Sequence, residues 1–171
     1  MHATKLQHFA LLLVFTSVTA CTSLANTRNT ASILANPVGI GSMVDTVGNE
    51  IALRALALVG KPYRYGGADL QGFDCSGLVY YIHDALGLIV PRTASDQQKA
   101  AISVDKSGLV PGDLVFFKTS AGNQISHVGV YVGENRFVHA PQSGKLIELR
   151  SLDDSYYGPR LTSIGRLYPK S

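Results

Sequence analysis

Cys75 is one of the two cysteines in the 171-residue chain and stands in the segment Asp74-Cys75-Ser76-Gly77, with His127 and His139 in apolar segments far downstream. A thiol becomes a nucleophile when a nearby imidazole takes its proton, and that imidazole needs a third group to hold its orientation. We therefore consider Cys75 as nucleophile, His127 as base and His139 as the orienting residue. Each of the three could by itself be structural, so the hypothesis rests on their occurring together.

The position of Cys75 in the chain favours a reactive thiol. The apolar residues that follow it have helical spacing, so the cysteine is expected at or beside a helix N-terminus. The partial positive charge at that end of a helix stabilises a thiolate. We therefore expect the pKa of the Cys75 thiol to be lowered.

The first residues have the pattern of an export signal. Lys5 precedes the apolar run 9–15, and small residues lead from there to Cys21. A basic start, a short apolar run and a small-residue exit are typical of a secretory signal peptide. Because Cys21 follows Thr-Ala, this end resembles the lipobox of bacterial lipoproteins. We predict a lipoprotein signal peptide over residues 1–20 and lipidation of Cys21, with cleavage after Ala25 as the alternative. By analogy with bacterial lipoproteins, Thr22 in place of an aspartate after that cysteine favours an anchor in the outer membrane of the cell envelope, facing the periplasm.

The rest of the chain suits a tether and one domain. Residues 21–47 are poor in charge and rich in Asn, Thr and Ser, which predicts a lipidated N-terminus and tether, and residues 48–171 suit one compact domain. Either cleavage leaves Cys75 without a disulfide partner in an oxidising compartment. The net charge of +3 without a Lys/Arg cluster argues against nucleic acid as a partner. No apolar run after the signal reaches membrane-spanning length, so we expect membrane contact through the lipid only.

Helical patterns precede strand patterns along the domain. A helix capped at Gly48 or Asn49 is predicted to run to Val59, and a second from Cys75 towards Gly87, with His83 exposed on it. Strand patterns follow at 113–118, 127–132, 136–140, 145–149 and 163–168. This order predicts an α+β fold in which N-terminal helices pack on an antiparallel sheet of five to six strands.

The register of one hairpin decides whether the two histidines can meet. A plain two-residue turn at Glu134-Asn135 would place His139 and His127 on opposite faces of the sheet. A three-residue loop from Gly133 to Asn135, or an equivalent bulge, would place them on one face. We predict the loop or bulge, with positive φ at Asn135 or Gly133, and expect Gly129 to leave room beside His139 for the helix that carries Cys75.

Six segments occur in order: Lys61-Pro62-Tyr63-Arg64-Tyr65-Gly66-Gly67, Phe73-Asp74-Cys75-Ser76-Gly77-Leu78-Val79, Pro91-Arg92-Thr93, Pro111-Gly112-Asp113-Leu114-Val115-Phe116-Phe117, His127-Val128-Gly129-Val130-Tyr131-Val132-Gly133 and Phe137-Val138-His139-Ala140. Together they resemble the NlpC family of bacterial cell-wall cysteine peptidases, within the papain-like superfamily, over residues 50–168. The resemblance implies a papain-like core in an NlpC-type domain, no cofactor, and hydrolysis of peptidoglycan stem peptides by thiolate attack through an acyl-enzyme. In this family the usual scissile bond joins the γ-carboxyl group of D-glutamate to meso-diaminopimelate.

The resemblance also implies roles for individual residues. Cys75, His127 and His139 match the nucleophile, the base and the orienting residue. Tyr63 matches a tyrosine whose hydroxyl group helps the Cys75 backbone N–H stabilise the oxyanion. Asp74 and Ser76 match positions that line the substrate groove and could hold a free amine and a carboxyl group.

Two arginines are candidates on our own inference, because the stem peptide is anionic. Arg64 and Arg92 could pair with substrate carboxylates. The alternative, at least as well supported by the sequence, is that both side chains stabilise local loops.

Three other interpretations compete with the peptidase. Cys75, His127 and His139 could ligate zinc, although no second cysteine or HExxH segment supports this. A papain-like acyltransferase or lipid amidase would use the same cysteine and histidine. A non-catalytic wall-binding lipoprotein would have an unreactive thiol, so alkylation at neutral pH separates it from an enzyme.

Overall fold

The computed structural model describes residues 40–168, with side chains from residue 46 onward. Its helices are α1 (Ile40–Ala57), α2 (Cys75–Asp84) and α3 (Ala94–Ala100). Its strands are β1 (Ala68–Asp69), β2 (Gly72–Phe73), β3 (Ile102–Ser103), β4 (Leu114–Phe117), β5 (His127–Gly133), β6 (Arg136–His139), β7 (Glu148–Ser151) and β8 (Leu161–Arg166). The predicted signal peptide, Cys21 and most of the predicted tether lie outside these residues.

Six of the strands form one antiparallel sheet in the order β3-β8-β4-β5-β6-β7, while β1 and β2 pair separately just before α2. The predicted α+β fold with five to six strands is therefore confirmed. The sixth strand, β3, is a two-residue segment that pairs with β8 at the sheet edge. Within residues 40–168, no helix is both long and apolar enough to cross a membrane.

The first helix begins earlier than predicted. It was expected to start at Gly48 or Asn49, whereas α1 starts at Ile40. Apolar residues at helical spacing before Gly48 continue the stripe that leads to Ile51, so the periodicity does not stop at the glycine. Gly48 is buried within the helix, and a Cβ atom added to it would lie 2.3 Å from the Pro111 carbonyl oxygen. The glycine allows close backbone contact and does not cap the helix.

The hairpin between β5 and β6 contains the predicted bulge. Glu134 and Asn135 form a two-residue turn with φ of 49° and 57°, and Gly133 also has a positive φ of 92°. Next to the turn Gly133 lies opposite Arg136. Further along the strands the register shifts by one residue, so that Tyr131 lies opposite Phe137. The shift puts the two histidines on one face of the sheet, as the sequence required.

The two faces of the sheet bury different kinds of side chain. The face covered by α1 and α2 is mainly aliphatic, with Leu114, Val128, Val130, Val138 and Ala140 in its core. The opposite face carries the two histidines and an aromatic cluster and is covered by loop residues. Its buried core consists of Val115, Phe117, Phe137, Leu152 and Ile164.

Gly129 serves a different neighbour from the one expected. A Cβ atom at this position would lie 2.5 Å from the ring atom Cδ2 of Phe137. The missing side chain therefore makes room for Phe137 on the aromatic face, and the helix that carries Cys75 packs on the other face. The expectation that Gly129 accommodates that helix is wrong.

Candidate active site

The loop before α2 sets the position of the thiol. Asp74 caps the helix, with its carboxylate accepting a hydrogen bond of 2.6 Å from the Gly77 N–H, and its own N–H donates to the Gly67 carbonyl at 3.0 Å. A Cβ atom at Gly77 would collide with that carbonyl oxygen. The glycines of the Tyr-Gly-Gly and Cys-Ser-Gly segments therefore let two stretches of backbone touch, which places Cys75 at the first position of the helix.

The Cys75 thiol lies at the peptide that joins His127 to Val128. Backbone N–H groups of Val128, Ser76 and Cys75 itself point at the sulfur and favour the thiolate, but burial opposes it more strongly, and the negative charge of Asp74 adds to that effect. The pKa of the thiol is therefore raised above its ordinary value. The expectation of a lowered thiol pKa is wrong for the free protein, because it considered the helix dipole without the burial and the neighbouring carboxylate.

His127 and His139 form a buried hydrogen-bonded pair. His127 Nε2 lies 2.8 Å from His139 Nδ1, with the two rings nearly perpendicular. The pKa of each imidazole is lowered to about 3. Burial is the larger cause for both rings, with a further contribution from the neighbouring His139 for His127 and from the Arg150 cation for His139. Both rings are therefore neutral at neutral pH. The pair leaves Nδ1 of His127 as the ring nitrogen that can face a thiol.

Tyr157 packs against both imidazoles. Its ring centroid is 4.7 Å from that of His139, edge to face, and 5.7 Å from that of His127, nearly parallel. Burial raises the pKa of Tyr157 to about 12. The ring covers the two histidines on the side away from α1 and α2. Tyr157 was not among the predicted site residues.

Tyr63 lies near the Cys75 thiol. It is half-buried, its N–H donates to the Lys145 carbonyl at 2.9 Å, and its backbone pairs with Phe73, two residues before Cys75. Burial raises the pKa of the Tyr63 hydroxyl, and the neighbouring Cys75 and Asp74 raise it further. The hydroxyl group keeps its proton at neutral pH and is available as a donor near the thiol.

The two candidate arginines both pair with carboxylates of the protein. Arg92 binds Asp74 through two hydrogen bonds, of 2.9 and 2.7 Å, and also donates to the Ser76 hydroxyl at 3.1 Å. Arg64 pairs with Asp69 at 2.6 Å in the loop before α2. Arg92 therefore holds the helix cap beside the nucleophile, and Arg64 holds an exposed loop. A role for either in binding substrate stays a prediction.

His83 is buried, and the prediction that it is exposed on α2 is wrong. Its side chain is 0% exposed, and Nδ1 lies 2.8 Å from the Val79 carbonyl oxygen one turn earlier. Because α2 packs between other elements, a position read as its outer face is enclosed. Burial lowers the pKa of His83, so this ring is also neutral at neutral pH.

A cavity of about 500 Å³ adjoins the histidine pair. It is lined by His127, by Tyr157, and by two residues of each charge: Lys145, Glu148, Arg150 and Asp154. None of the charged residues was predicted, because the sequence analysis assigned no register between the strands that became β6 and β7. That register places Glu148 directly opposite His139 and would have identified it.

Among the described residues, no group of three or more His, Cys, Asp or Glu side chains is arranged to hold a metal ion. The thiol instead contacts backbone N–H groups, and the two histidines contact each other. This arrangement can activate a thiol by proton transfer and stabilise negative charge near the helix N-terminus.

The chain is similar in sequence to known proteins. A family model described as the NlpC/P60 family matches residues 60–166. Murein DD-endopeptidase MepH of Escherichia coli K12 is 45% identical over 103 residues, covering 58% of this chain and 38% of that protein. Gamma-D-glutamyl-L-lysine dipeptidyl-peptidase of Bacillus subtilis 168 is 41% identical over 111 residues, covering 64% of this chain and 38% of that protein. The chain thus spans less than half the length of these two relatives.

A solved structure shows the same fold. An NlpC/P60 family protein from Bacillus cereus ATCC 10987 superposes with a TM-score of 0.67 at 29% identity, covering 71% of this chain and 40% of the other. The match agrees with the α+β papain-like core that the sequence implied.

Proposed function

The chain belongs to the NlpC/P60 family, and from this premise we propose that it is a cysteine endopeptidase that cleaves stem peptides of peptidoglycan. The observation that carries the proposal is the arrangement of Cys75 at the first position of α2, beside the peptide of His127, with His127 bonded to His139. A thiol with donors directed at the sulfur and a buried imidazole pair next to it suits acyl transfer through a thioester.

In the proposed mechanism, His127 Nδ1 takes the Cys75 proton as the sulfur attacks the substrate carbonyl carbon. The resulting oxyanion is stabilised by the Cys75 N–H and the Tyr63 hydroxyl group. When the tetrahedral intermediate collapses, the carbon–nitrogen bond breaks and His127 gives the proton to the leaving amine. A water molecule, deprotonated by His127, then hydrolyses the thioester and restores the thiol.

The raised thiol pKa and the lowered imidazole pKa values indicate a neutral resting pair. Thiolate and imidazolium would then form together as substrate excludes water and the carbonyl carbon accepts the sulfur. Proton transfer is thereby coupled to attack, and the free protein would carry little thiolate at neutral pH. An exported protein gains from this, because a neutral thiol is less readily oxidised.

The cavity beside His127 is proposed as the leaving-group side of the site. His127 must contact the leaving amine in order to protonate it, so the part of the substrate beyond the scissile bond lies next to this imidazole. The lining residues Lys145, Arg150, Glu148 and Asp154 offer both cations and anions. Such a lining suits a diamino acid, which carries carboxyl and amino groups.

For the scissile bond we propose the link between the γ-carboxyl group of D-glutamate and the diamino acid, with meso-diaminopimelate as the diamino acid. The relative from Bacillus subtilis is named for a γ-D-glutamyl bond. The relative from Escherichia coli is named a DD-endopeptidase, which makes the cross-link between stem peptides the second candidate. Asp74 and Ser76 border the nucleophile in either case.

We further propose that the protein is lipid-anchored through Cys21 on the periplasmic side of the outer membrane. The support is the sequence pattern of residues 1–21, which has a basic start, a short apolar run and a lipobox-like end. Mass spectrometry of the N-terminal peptide from membrane fractions tests this proposal. Unmodified Cys21, or a mature N-terminus beyond it, would contradict it.

The bond is identified by digesting purified cross-linked and uncross-linked muropeptides with the full-length protein in detergent, in water enriched in oxygen-18. Hydrolysis labels the newly formed carboxyl group, so mass spectrometry shows whether D-glutamate or D-alanine carries the label. Label on the D-glutamate γ-carboxyl group is expected. Label on D-alanine would transfer the proposal to the cross-link, and no cleavage by a folded protein would contradict the peptidase.

A further inference from the structure

His139 has a buried ring nitrogen that the pair with His127 does not use. The side chain is 0% exposed, and Nε2 has no hydrogen-bond partner that meets ordinary geometry among the described residues. The carboxylate oxygen Oε1 of Glu148 lies 3.4 Å from it. Glu148 lies opposite His139 in the pairing of β6 with β7, so the backbone holds the two side chains side by side.

The His127–His139 hydrogen bond can form in two ways. In one, the Nε2–H of His127 donates to Nδ1 of His139, which leaves His127 Nδ1 unprotonated and able to accept the thiol proton. In the other, the Nδ1–H of His139 donates to Nε2 of His127, which puts the His127 proton on Nδ1 and blocks its function as a base. The 2.8 Å distance is compatible with both.

The second ring nitrogen of His139 decides between the two. In the first arrangement, which we call productive, His139 carries its proton on Nε2 and needs a hydrogen-bond acceptor there. In the second, which we call blocked, Nε2 has no proton, so its lone pair would face a carboxylate and repel it. We propose that Glu148 is a positioning residue that selects the productive tautomer of both histidines by accepting from His139 Nε2. The inference rests on the proposed function, because the productive tautomer is defined by the role of His127 as base.

The surroundings of Glu148 allow this role. Its side chain is 34% exposed and can move by the few tenths of an ångström that a normal hydrogen bond requires. Arg150 Nε donates to the same oxygen at 2.8 Å, which holds the Glu148 side chain near the ring. The groups that face His139 are His127 from β5, Glu148 and Arg150 from β7, and Asp154 and Tyr157 from the following loop.

The direct test is the tautomer state of the two rings in the free protein, read from nitrogen-15 shifts and long-range nitrogen–proton couplings of the histidine side chains. In the native protein, both His127 and His139 should carry the proton on Nε2. In Glu148→Ala, the blocked tautomer should become populated to a comparable extent, and kcat should fall about 10-fold to 100-fold. Glu148→Gln should recover part of kcat, because an amide oxygen can still accept.

Matched variants separate this effect from loss of a surface charge. Glu134→Gln removes a carboxylate that pairs with Arg136 on the hairpin turn and should change neither tautomers nor kcat. Arg150→Gln removes the ion pair but keeps the Glu148 carboxylate, so the Nε2–H tautomers should persist. Unchanged tautomers in Glu148→Ala would overturn the proposal, whatever the activity; if that variant does not fold, unchanged tautomers in Glu148→Met, which keeps the length of the side chain but has no acceptor oxygen, would do so. The spectroscopic result needs no substrate, so it stands or falls independently of the peptidase assignment.

Discussion

The two faces of the central sheet are built from alternate residues of the same strands but bury different kinds of side chain. On the face beneath α1 and α2, Val128 and Val130 are fully buried among aliphatic neighbours. On the other face of β5, His127 and Gly129 lie among aromatic rings that pack at centroid distances of 4.7 to 6.0 Å. The first face can be explained by stability alone, whereas the second encloses polar groups that cost stability and supply chemistry.

The comparison explains how the two imidazoles are held in fixed positions although they are polar groups inside the protein. Each imidazole is held by its partner, by Tyr157 and by strands whose opposite side is locked in the aliphatic core. A one-residue change in register would exchange the two faces and destroy both at once. The bulge beside the Glu134-Asn135 turn is therefore as important to the site as the histidines themselves.

The largest effect should be seen when one residue on each face of β5 is replaced by alanine in two separate variants. His127→Ala should lower kcat about 1,000-fold or more, because it removes the base, while the protein stays folded. Val130→Ala should instead lower the free energy of unfolding by about 2 kcal/mol and leave kcat within a few-fold. Steady-state kinetics and urea denaturation of both variants check this. Loss of kcat in Val130→Ala without unfolding would break the comparison.

A smaller effect is expected from changing the orienting residue. His139→Ala should lower kcat about 100-fold, because His127 loses the partner that holds its ring. His139→Asn should recover about 10-fold of that loss, since the amide can occupy the same space and still hydrogen-bond to His127 Nε2. Equal activity of the two variants would show that His139 acts through packing and not through its hydrogen bond.

The charged cap of α2 sharpens the comparison on the helix side. Asp74→Asn removes the carboxylate that raises the pKa of Cys75 and frees the Arg92 cation, and both changes favour the thiolate. The pH midpoint of Cys75 alkylation should move down, and the rate at pH 7 should rise several-fold. Asp69→Asn, which removes the exposed partner of Arg64, is the control and should leave the midpoint unchanged. An upward shift in Asp74→Asn would contradict the assigned cause.

A separate effect is a dependence of stability on pH. The pKa values of His127 and His139 are lowered on folding, so between the unfolded value near 6.5 and about 3 only the unfolded chain takes up these protons. The free energy of unfolding should therefore fall as pH drops below 6.5, by at most about 1.4 kcal/mol per pH unit for each histidine. Urea denaturation at pH 7 and pH 5 measures this, and His139→Ala should show a shallower fall. An identical slope would contradict the assignment.

Much of this architecture is readable from the residues because local rules and long-range demands agree there. The helix at Cys75, the strands and the bulge of the β5–β6 hairpin follow from apolar spacing and turn chemistry. The histidine pair follows because only one register puts both rings on one face. The roles proposed for Tyr63, Asp74 and Ser76 come from the family resemblance and not from spacing.

The misses share a cause, which is that they depend on what a residue packs against. Gly48 was predicted to cap α1, but it lies inside the helix where the loop at Gly112 packs against it. His83 was predicted to be exposed but is buried, because other elements pack around α2. The pKa of Cys75 was predicted to be lowered by the helix dipole, but burial and Asp74 raise it. Glu148 and Tyr157 reach the histidines through strand pairing and loop packing that apolar spacing does not report.

The measurement that tests the central claim most directly is cleavage of purified stem peptides by the native protein and by Cys75→Ala, followed by mass spectrometry of the products. Circular dichroism confirms that both proteins are folded. The account predicts cleavage by the native protein and only the uncatalysed rate with Cys75→Ala, together with a thioester adduct on the Cys75 peptide after acid quenching of the native reaction. Cleavage by folded Cys75→Ala, or an adduct on another residue, would contradict it.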